Sequence, residues 1–174
     1  SVFKAALFMM VGIVDKQTGT RDIRKLKGLG AAMPMTAGIG LIAALALAGV
    51  PPLNGFVSKE MFFSASLEAA AAGGVFAGAL GARLLPILAV LGSIFTFIYS
   101  LIISHGVFFG RDENSRAREH APPSEPSFGL WLPAAVLAFL AVLFGLAPGV
   151  VDAPVVASAA NTVLGQQASV PLAL

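Results

Sequence analysis

The sequence contains no cysteine, which excludes disulfides and thiolate metal sites together. Histidine is almost as scarce, and His105 and His120 are too few for a metal cluster. Charge is thin as well. Asp, Glu, Lys and Arg make up 11% of the 174 residues, against about 25% in ordinary soluble domains. With 57% hydrophobic residues and a mean hydropathy of +0.87, the chain lacks the polar material to coat a water-facing surface. Lipid is the natural solvent for this composition. A net charge of +2 leaves no electrostatic footprint for nucleic acid. No Ser/His/Asp set, phosphate-binding glycine loop, haem site or iron–sulfur spacing is present, so neither covalent catalysis nor a bound cofactor is expected.

What is there is four apolar units. Residues 2–14 are too short to cross about 30 Å of hydrocarbon alone. They start without an initiator Met or a signal-peptide pattern and are expected to be part of a longer transmembrane helix. A turn-rich stretch follows, then a loop holding Lys16, Arg21, Arg24, Lys25 and Lys27. The second unit, residues 33–72, is interrupted. Gly49, Pro51, Pro52 and Gly55 remove backbone donors and loosen the chain, so one membrane passage is expected to consist of two half-helices with a break between them. The third unit, residues 84–109, is long enough to span with some tilt. The fourth, residues 128–151, carries Trp131 as an interfacial anchor and closes at Pro148-Gly149. The fold expected is an all-α, polytopic transmembrane bundle with one discontinuous helix over residues 1–151. Residues 152–174 form a tail, either a surface helix or the approach to a further segment.

Lys and Arg counts in the short loops set the orientation. The loop at residues 15–32 and the loop at 110–127, with Arg111, Arg116 and Arg118, are expected to be cytoplasmic. The turn with Arg83 and the tail, which holds no Lys or Arg, then face outward. This makes a multi-pass protein of the cell's inner membrane, and the alternation holds only if the interrupted unit counts as one passage.

Four side chains are candidates for an ion path. Lys4 lies 11 residues before Asp15, about 16 Å along a helix and near mid-bilayer. An ionisable group there costs about 2.5–3.5 kcal/mol and persists when it faces a bundle interior or water; the competing placement is snorkelling to an interface. Lys59 and Glu60 follow the break, where freed backbone groups must face protein or water and where transporters set ion paths. A movable proton or carboxylate would switch such a lysine between charged and neutral forms. The competing placement puts both just outside the membrane, with Ser58 capping a helix. His105 is either a proton relay at the mouth of a path or a headgroup-level residue. Glu68 reads as interfacial. Ser93, Thr96, Tyr99 and Ser100 line a hydrated seam or make helix–helix and backbone hydrogen bonds. Gly38, Gly40, Ala44 and Ala48 suggest close helix packing, and the basic run a topological anchor on anionic lipid.

The stretches Phe3-Lys4-Ala5-Ala6-Leu7-Phe8, Gly12-Ile13-Val14-Asp15 and Thr18-Gly19-Thr20-Arg21-Asp22-Ile23 resemble the A subunit of multisubunit Na⁺/H⁺ antiporters. So do Gly28-Leu29, Met33-Pro34 and the run from Ala48 through Pro51-Pro52-Leu53-Asn54-Gly55-Phe56 to Ser58-Lys59-Glu60. The proline, Gly-Phe and Ser-Lys-Glu signature is shared with the antiporter-like subunits of respiratory complex I. The Thr-Gly-Thr-Arg-Asp-Ile stretch points more narrowly to the antiporter. The resemblance is strong to about Ser66 and weaker beyond. It implies the second half of an inverted-repeat antiporter unit within a hetero-oligomer that exchanges protons and Na⁺. It implies that Lys4 belongs to a hydrophilic axis at the membrane centre and Lys59 to the outward end of a proton path, with Glu60 or a partner-subunit carboxylate tuning it. A family histidine expected just before Ser1 is not in the sequence. The alternative is a proton-pumping subunit of an NADH-quinone oxidoreductase. A third reading is a membrane scaffold with no ion path.

Overall fold

The computed structural model of the protein describes residues 2–24, 26–72, 79–110 and 124–164. Arg111, Arg116, Arg118 and His120, most of the expected loop at 110–127 and the tail beyond 164 lie outside the described residues. Among the described residues six α-helices run in order: α1 Val2–Thr18, α2 Pro34–Ala48, α3 Asn54–Ala72, α4 Ala79–Leu101, α5 Phe128–Leu146 and α6 Pro148–Leu164. A π-helical turn, Ile102–Gly106, extends α4. Among the described residues there is no strand.

Helix α1 buries Ala6, Met10, Ile13 and Val14, the three-to-four spacing of one helical face. It continues past Asp15, and Gly19 ends it with φ +66° and an N–H bonded to Asp15 O at 2.8 Å. That face packs on α2 and α5. Small residues let the backbones close up. Ala134, Ala138, Ala141 and Gly145 form a buried seam on α5, and Gly40, Ala44 and Ala48 are buried on α2. Gly38 does not share this role: it is exposed, with open space where a Cβ would sit. A Cβ on Gly40 would lie 2.9 Å from the Phe108 ring and 3.2 Å from Met10. Phe108 and Met10 fill the space that this glycine leaves, in a cluster with Val14, Leu29 and Ala37.

The hydrogen bonds sort the helix ends into two sets. Leu29 N–H donates to Val107 O at 3.2 Å and Gly30 N–H to Phe108 O at 3.0 Å, so the loop after α1 caps the carbonyls that follow the π-helical turn beyond α4. Thr36, in the first turn of α2, bonds Glu125, just before α5. The end of α1, the start of α2, the end of α4 and the start of α5 therefore share one end of the bundle, called here the loop end. At the other end Phe3 of α1 packs with Ala46, Leu53 and Ala141. The interrupted unit thus behaves as one passage: the first and third connections lie together, as the charge pattern requires.

Helices Leu84–Gly106 and Phe128–Leu146 are long and apolar enough to cross a membrane. Much of α4 and its π-helical extension is apolar and uncovered, with Ile87, Leu88, Phe95 and Ile102 each more than half exposed. Such a surface suits hydrocarbon and not water. The hydroxyls on α4 take the backbone option. Thr96 donates to Gly92 O at 2.8 Å, Ser100 to Thr96 O at 2.7 Å and Ser104 to Ser100 O at 2.9 Å. Tyr99 is exposed.

The fourth unit differs from expectation. It was expected to run to residue 151, but Ala147 leaves helical geometry at φ −132°, ψ 58° and ends α5 at Leu146. Pro148 then opens α6, at the position where a missing N–H costs nothing. Helix α6 crosses residue 152 and reaches Leu164, so the first part of the tail is helical.

Candidate functional site at the broken helix

The break follows directly from its residues. Gly49 adopts φ +82°, ψ 38°, a left-handed conformation that glycine reaches without a Cβ penalty. Its N–H donates to Ala46 O and the Val50 N–H donates to Leu45 O, each at 3.1 Å. This pair of reverse bonds ties off the end of α2. Pro51 and Pro52, joined by a cis peptide, bring no N–H to satisfy. Leu53 N–H donates to Val50 O at 3.1 Å, and α3 begins at Asn54.

Lys59 completes this arrangement. One and a half turns into α3, it reaches back over the gap and donates from Nζ to Ala48 O at 2.7 Å. Its alkyl stem crosses Gly49, with Cδ 2.6 Å from where a Cβ on that residue would be. Gly49 is thus required twice, for its backbone angle and for room beneath the lysine. The ammonium is half-buried and sits against the negative end of a helix dipole, with a carbonyl that α2 itself leaves unpaired. The same site can hold the group charged, or release its proton and leave a carbonyl free for water.

Two close backbone approaches fix the break in the bundle. A Cβ on Gly55 would collide with Ala46 O, so the first turn of α3 lies directly against the last turn of α2. A Cβ on Gly145 would collide with Pro52 O, so the end of α5 lies on the break. Gly145 is 17 residues beyond Phe128, which places the break about 26 Å along α5 from the loop end. The interruption at Pro51-Pro52 and the one at Ala147 meet there. Asn54 adds a buried Oδ1 with no hydrogen-bond partner among the described residues.

The other predicted residues sit elsewhere. Lys4 is exposed. It shares a helical stripe with Phe8 and Val11, which are 77% and 46% exposed, on a face turned away from Ala6 and the bundle core. Its neighbour Phe3 packs with Leu53, so Lys4 is level with the break without touching Lys59 through any hydrogen bond described. Glu60 is exposed and diverges from Lys59, whose partner is a carbonyl. His105 is exposed in the π-helical turn, its ring 5.9 Å from that of Phe109. It lies at the loop end, opposite the break. Glu68 is exposed.

Sequence reasoning missed Glu125. Its Oε1 accepts from Thr36 N–H and from Thr36 Oγ1, both at 2.8 Å, and Thr36 is fully buried. The carboxylate therefore caps the positive end of α2 from 89 positions away. Nothing in its proline-rich surroundings signals this; only the second apolar unit's lack of a capping Ser, Asp or Asn before Pro34 hints that a cap comes from elsewhere.

Comparison with known proteins follows the same residues. Residues 1–85 match the family model described as NADH:quinone oxidoreductase/Mrp antiporter, transmembrane. The chain is 43% identical over 165 residues to Na(+)/H(+) antiporter subunit A1 of Staphylococcus haemolyticus (strain JCSC1435), covering 95% of this chain and 20% of that protein. It is 41% identical over 163 residues to the subunit A1 of Staphylococcus aureus (strain Newman), covering 94% and 20%. A chain in the structure of the Mrp complex from Dietzia sp. DQ12-45-1b aligns with a TM-score of 0.77 at 39% identity, over 98% of this chain and 17% of that one. The chain spans about a fifth of the length of the relatives it matches.

Proposed function

Since the chain belongs to the NADH:quinone oxidoreductase/Mrp antiporter family of membrane proteins, we propose that it is part of the A-type subunit of a multisubunit Na⁺/H⁺ antiporter and that Lys59 exchanges a proton there. The single observation that carries the reading is the Lys59 ammonium held on Ala48 O across an interrupted helix. An interruption in lipid is tolerated only where backbone groups are satisfied by protein or water. This one is satisfied by a side chain that can itself gain and lose a proton. When Lys59 is charged, the end of α2 is closed by an ammonium. When it is neutral, the carbonyl is open and the site is ready for the next proton. The position of the break, far along α5 from the basic loop, supports an outward-side role.

Lys4 is the second proton carrier in this reading. It stands exposed on α1 beside Phe8 and Val11, and in this reading a neighbouring subunit or a hydrated path covers that face, since an ammonium in lipid is costly. Glu60, or a carboxylate of a partner subunit, is assigned to tuning Lys59, and His105 to the mouth of the path at the loop end. The loop at 15–32 and the one at 110–127 face the cytoplasm in a plasma-membrane protein, and the remaining subunits of the complex are its partners. The family description also covers NADH:quinone oxidoreductases; the subunit A1 relatives and the Mrp structural neighbour favour the antiporter.

The test is Lys59→Ala in the full-length subunit, assembled with its partners and assayed in inverted membrane vesicles for Na⁺-driven proton movement. Exchange is expected to vanish while the other subunits still co-purify. Wild-type exchange in that variant would remove Lys59 from the mechanism.

A further inference from the structure

The mechanism above leaves one half-buried titratable group unused. Glu125 holds both Thr36 donors on a single oxygen, Oε1. Its other oxygen, Oε2, is buried and has no hydrogen-bond partner among the described residues. A buried carboxylate oxygen without a partner is costly, and such groups are found where a water, an ion or a proton completes them. The surroundings narrow the choice. Helices α2 and α5, which flank Glu125, contain no titratable side chain. On the other described elements at the loop end, Asp15 is ion-paired with Arg21 at 2.8 Å, and Lys16, Asp22, Arg24, Lys27 and His105 are exposed. A metal ion would need several oxygen ligands converging on one point, and among the described residues no group of three acidic or histidine side chains forms one.

We propose that Glu125 is a proton-exchanging carboxyl at the loop end of α2, with Oε2 as the atom that takes and releases the proton. This rests on the antiporter reading but not on the role given to Lys59. In the anionic state the charge is stabilised on Oε1 by two donors and by the positive end of α2. A proton from water on the loop side binds Oε2 and gives a neutral carboxyl; its return to water restores the carboxylate, with Thr36 bonded throughout. The half-helix α2 then carries a proton-exchanging acid at its start and a proton-exchanging ammonium at its end, and a single rigid element spans the two.

Glu125→Gln separates this from simple capping. The amide oxygen still accepts both Thr36 donors, so the cap survives, but the group no longer exchanges a proton. In the full-length, assembled antiporter in inverted vesicles, Na⁺-driven proton movement is expected to fall about a hundredfold. Glu125→Asp is expected to recover part of it. Exchange within twofold of wild type in Glu125→Gln, at equal assembly, overturns the proposal and leaves Glu125 a cap. If Glu125→Gln does not assemble, Glu125→Asp decides, because it keeps an exchangeable carboxyl on a shorter arm. Exchange no higher in Glu125→Asp than in Glu125→Ala, at equal assembly, overturns the proposal. Lys59→Ala in parallel keeps the two ideas apart. Normal exchange there sinks the lysine reading alone, and normal exchange in Glu125→Gln beside a dead Lys59→Ala sinks the carboxyl alone.

Discussion

The two ends of α2 are closed by opposite means. The C-terminal end is a local device: Gly49 turns left-handed, two reverse hydrogen bonds follow, and Lys59 arrives from 11 residues downstream to take Ala48 O. The N-terminal end has no local cap at all. Met33 offers no side-chain bond, Pro34 brings no donor, and the acceptor for Thr36 is a glutamate 89 positions away. Charges of the right sign meet each end of the helix dipole, an ammonium at the negative end and a carboxylate at the positive one. The contrast shows that a break within a membrane passage needs a self-contained solution, because lipid offers no partner. The end that lies among loops can borrow one.

Substitutions at the glycines of the break test how tightly the first device is built. Gly55→Ala and Gly145→Ala are expected to have the largest effect. In each the new Cβ meets backbone, Ala46 O in one and Pro52 O in the other, and no rotamer change relieves it. A cost of about 3 kcal/mol or more follows from such overpacking, seen as a sharp fall in assembled complex or its melting temperature. Normal yield from both would mean that α3 and α5 stand off from the break. Gly49→Ala comes next. It strains a φ of +82°, at about 1–2 kcal/mol, and pushes the Lys59 stem aside. Exchange is expected to fall more than stability does, and equal losses would argue that Lys59 does not depend on the space above Gly49.

The other end is probed by Glu125→Ala, which removes the cap itself. Loss of an N-cap costs about 1–2 kcal/mol, so a modest drop in thermal stability of the complex is expected, larger than that for Glu125→Gln. Equal stability of the two would show that the Thr36 bonds contribute nothing. The smallest effect belongs to Arg21→Ala. Arg21 bonds Asp15 at 2.8 Å but is 82% exposed, and exposed pairs are worth about 0.5 kcal/mol or less. A shift in stability beyond that would mean that this loop is held by more than its surface charges.

Much of this was legible in order along the chain. Gly49, Pro51, Pro52 and Gly55 announced the break because their backbone limits are intrinsic to the residues, and the structure interrupts the helix there. The continuity of α4 followed from hydropathy in the same way. The closure at Pro148-Gly149 was legible, since a proline disfavours helical geometry in the residue before it and Ala147 leaves the helix there; that the chain resumes at once as α6, and that the turn lets Gly145 pack on Pro52, was not. Gly38 looked like part of the packing stripe, but helix rotation turns it away. Lys4 and Lys59, alike as buried charges in the sequence, separate in the structure into an exposed stripe on α1 and a half-buried cap on α2.

By itself the sequence determined the solvent, the helix count within one unit and the site of interruption, because composition, length and the limits of glycine and proline act locally. Only the tertiary structure decided what closes each end of α2. Which carbonyl receives Lys59 and which helix receives Glu125 depend on segments brought together by packing, and no local residue preference encodes a contact across 89 positions.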